Sequence, residues 1–135
     1  MIDARVQAFL DQLSAWAAAQ SQLSGVLLVG SQARSAGRPD SDVDLVLLAV
    51  DPQFYLKNIK WAVDFGPVSR HTLEDWGRLT ALRVWYQNGL EVEFGFANQS
   101  WITSPLDPGT RQVLAAGYHI LFERHSLISK VIECP

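Results

Sequence analysis

The chain has 135 residues, of which 48% are hydrophobic and 19% are charged, and its formal net charge is −3. These values predict one globular domain over residues 1–135, able to bury about two-thirds of its unfolded surface. The acidic balance argues against a dedicated nucleic-acid-binding protein. A lone cysteine, Cys134, excludes an internal disulfide, and no signal sequence or apolar run of about 20 residues is present. We therefore expect a cytoplasmic protein with no membrane partner.

The first predicted element is an amphipathic helix that covers one face of a sheet. Its apolar residues recur at steps of three and four along the sequence: Val6, Phe9, Leu10, Leu13, Trp16 and Ala17. Asp3 is the predicted N-cap, and Gly25 is predicted to break the pattern before the first strand.

Two short apolar strands, residues 26–29 and 45–50, flank the stretch that is richest in chemistry. Asp42 and Asp44 open the second strand, and residues two apart in a strand point the same way. Two carboxylates at 4 Å repel by roughly 4 kcal/mol at an effective dielectric near 20. A divalent cation would stabilise such a pair, because magnesium prefers carboxylate and phosphate oxygens.

A glycine and a serine end the first of these strands. Gly30 removes a side chain where the backbone must approach a ligand, and Ser31 opens a short predicted helix. Free N–H groups at a helix start favour phosphate. The sequence thus places a predicted phosphate site a short loop away from the two aspartates.

The middle of the chain predicts a helix, a loop and a hairpin. Asp51-Pro52 starts a helix to about residue 63, with Leu56, Ile59 and Val63 facing inward, and residues 65–75 predict a loop bordering the site. Residues 79–86 and 90–96 are strand-like, with Asn88-Gly89 as a two-residue type I′ turn. That turn predicts Glu91 opposite Tyr86 and Glu93 opposite Val84.

Two glutamates share one face of the second hairpin strand, whereas Leu90, Val92, Phe94 and Phe96 share the other. Strands are poor in glutamate, and burying an ion without a partner is costly. A metal would supply the partner for Glu93. The alternative is that both glutamates are solvated on an open sheet face.

The last predicted elements are a helix over residues 108–116 capped by Asp107, an edge strand over 118–122 and a helix over 127–132. Together the elements predict an α/β fold: a mixed, twisted sheet of four to five strands with helices mainly on one face.

The motifs as a set resemble a known superfamily. Gly30-Ser31-Gln32-Ala33-Arg34, followed by Ser41-Asp42-Val43-Asp44-Leu45, resembles the signature of the DNA polymerase beta-like nucleotidyltransferases, and the small stand-alone, minimal nucleotidyltransferase (MNT-like) branch most closely. One departure is Ser35, where many members have glycine; Gly37 supplies flexibility instead.

The resemblance implies a nucleotidyltransferase fold and transfer of a nucleoside monophosphate from a nucleoside triphosphate to an acceptor hydroxyl. It implies that Asp42, Asp44 and a later acid hold two Mg²⁺ ions, with Mn²⁺ as a substitute. Val92-Glu93-Phe94 matches the context of that acid best, and Glu91 is the alternative.

It further implies that Gly30, Ser31 and Arg34 bind the nucleotide. Arg34 either contacts phosphate or pairs with an acid such as Asp40.

A second function stays open at this point. Small domains of the superfamily also serve as antitoxins, which modify or block a helical toxin protein. The acceptor would then be a protein, with nucleic acid or a small molecule as the other acceptors. Five tryptophans are many for this length. They serve either in the core or as anchors of an interface with a partner or a second copy of the chain.

Overall fold

The computed structural model describes residues 4–33, 42–103 and 106–132. Its α-helices are α1 (Ala4–Ala18), α2 (Gly30–Ala33), α3 (Gln53–Leu56), α4 (Pro108–Ala115) and α5 (Leu127–Ile132). Its strands are β1 (Leu23–Val29), β2 (Val43–Ala49), β3 (Val68–Asp75), β4 (Thr80–Tyr86), β5 (Glu91–Ala97) and β6 (Tyr118–Glu123). Two 3₁₀ helices span Lys60–Phe65 and Gln99–Ile102. None of the helices in these ranges is both long enough and apolar enough to cross a membrane.

The strands form one six-stranded mixed sheet in the order β3-β4-β5-β2-β1-β6. β2 and β5 are parallel, whereas the other pairings of the described strands are antiparallel. The predicted α/β class is confirmed, with one strand more than the sequence predicted.

The additional strand is β3, where the sequence predicted a loop. Most of its side chains are exposed, and Leu73 remains 58% exposed. An edge strand with water on both faces has no alternation of apolar and polar residues, so the pattern that predicts strands is missing.

Helices cover both faces of the sheet. The longest, α1, packs through the predicted apolar stripe on the face that we call the α1 face. The other face, called here the acid face, packs against α4, α5 and the second 3₁₀ helix through a separate core. The prediction of helices mainly on one face is confirmed, because Tyr55 and Leu56 of α3 and Ala62 of the first 3₁₀ helix share the core of α1 on the α1 face. Asp3, the predicted N-cap of α1, lies outside the described residues.

Two local predictions were wrong. The helix predicted to run to residue 63 is split into α3 and a 3₁₀ helix, and Val63 is 57% exposed instead of inward. Gly25 lies inside β1 rather than ending a helix. A Cβ at Gly25 would come within 2.7 Å of Ile128 Cδ1, so this glycine lets α5 pack closely on the sheet.

The hairpin prediction was right in its strands and wrong in its register. Glu93 pairs with Arg83 and Glu91 with Trp85, one residue away from the predicted partners. The Gly89 N–H donates to the Tyr86 carbonyl and the Tyr86 N–H donates to the Leu90 carbonyl. The loop therefore has three residues, with Gly89 at φ +94°, as in a type I turn followed by a bulge.

Candidate active site

The parallel pairing of β2 and β5 brings two predicted acids side by side. Asp44 pairs with Glu93 across these strands, and Val29 pairs with Asp44 on the other side. The Asp44 and Glu93 side chains lie close enough for a hydrogen bond between their carboxyl groups to be one cause of the raised pKa of Asp44. Of the two candidates for the third acid, Glu93 is therefore the one that contacts Asp44.

The backbone at Gly30 lies directly against the side chain of Asp44. Its φ of +73° lies in the left-handed region, and a Cβ built at this position would collide with Asp44 Oδ2. Glycine is thus required twice, for backbone conformation and for the close approach of the carboxylate. Ser31 follows directly in α2 and is half-buried. Gly30, Ser31 and Asp44 consequently form one continuous surface.

The acid pair favours the protonated form of Asp44. Burial is the largest cause, followed by the hydrogen bond and the charge of Glu93 and the charge of Asp42, and together they raise the pKa of Asp44 to about 7. A carboxyl with a pKa near 7 is half protonated at neutral pH, which lets two neighbouring carboxyls share a hydrogen bond.

An arginine that the sequence analysis did not single out lies among the acids. Arg83 Nη1 donates to Asp42 Oδ2 at 2.8 Å and to Glu91 Oε2 at 2.6 Å. Its Nη2 lies 3.4 Å from Glu93 Oε1, and its Nε donates to Glu74. The Arg83 side chain is only 16% exposed. In this structure, the acids are therefore paired with a cation, the guanidinium of Arg83, and are not simply solvated.

Arg83 and Glu74 were missed for separate reasons. Arg83 sits between Leu82 and Val84, and a mid-strand arginine is a detectable signal once the three-residue hairpin turn puts it opposite Glu93. Glu74 had no such signal, because β3 has no strand pattern to show which way its residues point.

The residues of the metal site implied by the resemblance have the right chemistry for Mg²⁺, but in this structure they are not arranged around one ion. Within residues 4–33, 42–103 and 106–132, no group of three His, Cys, Asp or Glu side chains is arranged to hold a metal ion. Asp44 and Glu93 offer adjacent carboxyl oxygens, the donors that Mg²⁺ prefers. Asp42, predicted as a metal ligand, is instead bonded to an internal cation, the guanidinium of Arg83.

One predicted nucleotide-binding residue, Arg34, lies outside the described residues, together with Asp40 and Ser41. The remaining predicted site residues, Gly30, Ser31, Asp42, Asp44 and Glu93, all lie at one end of the acid face.

The chain resembles solved structures of larger proteins. An aminoglycoside 6-adenyltransferase from Bacillus subtilis matches with a TM-score of 0.53 and 11% identity, over 73% of this chain and 36% of that chain. The GLD-2/RNP-8 complex matches with a TM-score of 0.48 and 19% identity, over 74% of this chain and 35% of that chain. This chain thus spans about a third of either structure.

No family model and no curated protein matches the sequence. The adenyltransferase likeness confirms the predicted fold, while the superfamily and its small stand-alone branch stay predictions. The chain therefore has the nucleotidyltransferase fold.

Proposed function

We propose that this protein transfers a nucleoside monophosphate from a nucleoside triphosphate to an acceptor hydroxyl and releases pyrophosphate, with Mg²⁺ as cofactor. The observation that carries the proposal is the contact of Asp44 with Glu93 directly against Gly30. Acidic side chains that are held close together despite their mutual repulsion are typical of functional sites. The likeness to an adenyltransferase supports the same reaction class.

The roles follow from position. Gly30 and Ser31 take the triphosphate, since backbone N–H groups at a helix start and the missing Cβ leave room for phosphate oxygens. Asp42, Asp44 and Glu93 would hold two Mg²⁺ ions, which neutralise phosphate charge and lower the pKa of the acceptor hydroxyl when bound. Glu93 is the acid on the acceptor side. Arg34 is proposed to contact the nucleotide.

The reaction balances with these residues alone as proton acceptors. The acceptor oxygen forms a bond to the α-phosphorus, and the bond from that phosphorus to the bridging oxygen of pyrophosphate breaks. The hydroxyl proton passes to a site carboxylate. Beyond this transfer, the protein contributes positioning and charge neutralisation.

The experiment is a labelling assay with Mg²⁺, each α-labelled nucleoside triphosphate and a cell lysate as the source of acceptors. Asp44→Asn is expected to reduce label transfer by 100-fold or more, on the order of 3 kcal/mol of transition-state stabilisation. Asp11→Asn, an exposed acid on α1, is the matched control and should transfer at the wild-type rate. Equal transfer by Asp44→Asn and wild type would refute the proposed site.

The same assay reports the acceptor class, because label is recovered on protein, RNA or small molecules. The alternative function, an antitoxin that blocks a helical toxin, has no support from the likeness to solved structures. It would be favoured only if Asp44→Asn still suppressed the toxicity of a co-purified protein. Cytoplasmic localisation and a second copy of the chain as partner stay predictions.

A further inference from the structure

The strand β3 forms one edge of the sheet and is open on its outer side. It lies at the end of the strand order and, among the described strands, pairs with β4 alone. Its eight residues include neither lysine nor proline, which commonly prevent an edge strand from pairing with another chain. Leu73, near the middle of the strand, is 58% exposed. β3 is therefore able to accept a further strand.

The hydrogen bonds at the end of the hairpin show which backbone groups of β3 point outward. The backbone N–H of Trp76 donates to the Leu79 carbonyl, so these two residues are a hydrogen-bonded pair. In an antiparallel ladder, such residues alternate with residues whose N–H and C=O point away from the partner strand. The register of β3 with β4 is regular from here back to residue 71. The backbone groups of Asp75, Leu73 and His71 therefore face the open edge.

The regular part of β3 is centred on Leu73. A bulge just before Arg70 ends the regular ladder on one side, and Trp76 ends it on the other. When a second copy pairs antiparallel with Leu73 opposite Leu73, the whole regular stretch is paired. The outward-pointing groups of His71 then meet those of Asp75, so the hydrogen-bonding pattern also matches.

The two ends of β3 are complementary in charge on the α1 face. His71 lines a cavity there together with Lys57 and Lys60, so this end of the strand has basic surroundings. Asp75 lies on the same face as His71, because residues four apart in a strand point the same way. Residues four apart are separated by about 13 Å along one strand, too far for an ion pair within the chain. Antiparallel pairing brings Asp75 of each copy to the basic end of the other.

The acid face of β3 is complementary through aromatic contacts. Arg70 stacks on Trp85, with its guanidinium carbon 4.1 Å from the ring centroid. Trp76, which is 62% exposed, would lie opposite Arg70 of the second copy. Each guanidinium would then lie between two indole rings, a favourable position for arginine. The pairing thus covers Leu73 and Trp76, two large apolar side chains that are otherwise left in water.

We propose that two copies of this chain form a dimer by antiparallel pairing of β3 with β3, about a twofold axis at Leu73. The two sheets become one continuous sheet. The partner is a second copy because the strand is complementary to itself in backbone groups, charge and apolar side chains, as a closed twofold interface requires. This inference goes beyond the proposed transfer reaction and does not depend on it.

The first test measures mass in solution by analytical ultracentrifugation at concentrations up to about 100 µM, because a small interface gives a weak complex. Wild type should approach twice the chain mass of 15.0 kDa. Leu73→Lys puts two like charges opposite each other and should weaken the dimer about tenfold or more. Val50→Lys, at a residue 63% exposed outside β3, is the matched control and should dimerise as wild type does. A wild-type monomer at the highest concentration, or a dimer that Leu73→Lys leaves intact, would overturn the proposal.

A charge exchange tests the register. His71→Asp puts aspartates opposite each other at two equivalent places and should weaken the dimer about tenfold. Adding Asp75→Lys to this variant should restore wild-type affinity, because each new lysine then faces a new aspartate of the other copy. The two positions are too far apart within one chain to compensate for each other, so the recovery reports on the interface. A double variant as weak as His71→Asp would show that the register is wrong.

Cross-linking locates the twofold axis independently, with Cys134→Ser as the background. Opposite residues of a hydrogen-bonded pair have Cα atoms about 5.5 Å apart, within reach of a disulfide. Leu73→Cys should therefore give a covalent dimer on mild oxidation, whereas Val50→Cys should stay monomeric on a denaturing gel. Thr72→Cys should cross-link poorly, because Thr72 lies opposite Glu74 of the second copy. Preferential cross-linking of Thr72→Cys would place the axis elsewhere and overturn the proposed dimer.

Discussion

At the residue scale, two aspartates that look alike in the sequence have different environments. From the sequence alone, each aspartate would repel the other, and replacing either one with asparagine would stabilise the protein. In the structure, Asp44 is buried against Glu93, whereas Asp42 bonds to Arg83 at 2.8 Å. Repulsion between the aspartates is thus only part of the electrostatics. The ion pair with Arg83 decides whether the charge of Asp42 stabilises or destabilises the folded protein.

The two substitutions should therefore differ in their effect on the metal-free protein at pH 8, and only Asp44→Asn should stabilise it. Asp44→Asn removes a charge whose burial is costly and should raise Tm by several degrees, corresponding to about 1–2 kcal/mol. Asp42→Asn removes a partner of Arg83 and should lower Tm or leave it unchanged. Thermal unfolding in chelator measures both. A lower Tm in Asp44→Asn would mean that Asp44 is a structural hydrogen-bond partner.

The raised pKa of Asp44 also predicts a pH dependence. In the unfolded chain this carboxyl has its ordinary pKa of 3.8, but in the folded protein its pKa is about 7. Between these values the folded state binds more protons, so the stability that comes from protonated Asp44 falls as pH rises. This contribution is complete below pH 3.8 and lost above pH 7, and it is at most about 4 kcal/mol, less where water screens the site.

Urea unfolding of the metal-free protein between pH 4 and 8 checks the prediction against Asp44→Asn. Because the variant lacks the titrating group, wild type minus variant isolates the contribution of Asp44 from other acids. The difference in free energy of unfolding should decline toward high pH. A flat difference would mean that Asp44 is ionised throughout.

At the scale of elements, the β1–α2 junction and the β3–β4 turn give a matched pair of glycines. Gly30 and Gly77 both have positive φ, +73° and +82°, but a Cβ at Gly77 meets nothing within 4 Å. Alanine at either position pays about 1 kcal/mol of backbone strain. Only Gly30→Ala also collides with Asp44.

We therefore expect Gly30→Ala to lower Tm more than Gly77→Ala and to reduce nucleotidyl transfer strongly. The thermal shifts and the labelling assay measure the two effects on both variants. Equal Tm losses together with equal transfer would show that Asp44 moves aside freely, and the proposed role of Gly30 would be wrong.

The elements also show how far the sequence could predict the site. Apolar periodicity predicts α1, β5 and the α1 face, because a buried face leaves a repeat in the sequence. The short separation of Gly30-Ser31 and Asp44 in the sequence predicts part of the site, since it keeps the phosphate-binding residues close to the aspartates. The register of Glu93 is harder, because a two-residue turn and a three-residue turn fit the same Asn88-Gly89 sequence.

The role of Arg83 could not be predicted with the wrong register. A slip by one residue moves Arg83 to the other face of the sheet from Glu93. From the sequence, a metal was therefore the predicted partner of these acids, whereas in the structure the partner is the guanidinium of Arg83. Under the proposed function, the metal and Arg83 would be alternative cations for the same acids, and that has consequences for the molecule as a whole.

At the scale of the whole molecule, this competition predicts a link between metal and stability. Arg83→Gln leaves Asp42, Glu74 and Glu91 without their cation and should destabilise the metal-free protein by about 2 kcal/mol or more. Mn²⁺ should then raise the Tm of the variant more than that of wild type, because metal takes over the role of the arginine.

Arg70→Gln is the control, since Arg70 stacks on Trp85 on the same sheet face. Its Mn²⁺ shift should equal that of wild type. If Mn²⁺ stabilises Arg83→Gln no more than wild type, the acids and Arg83 form a structural ion-pair network, and the metal proposal loses its main residues.

The parallel contact between β2 and β5 has a further consequence for how this protein assembles. β1–β2 and β3–β4–β5 are each built from neighbours along the chain, so both units fold through local contacts. Joining them requires a long-range contact, which costs more loop-closure entropy and forms more slowly. Asp44 and Glu93 meet only at that junction. Refolding chains should thus form both units early and bring the proposed active site together only when the two units dock.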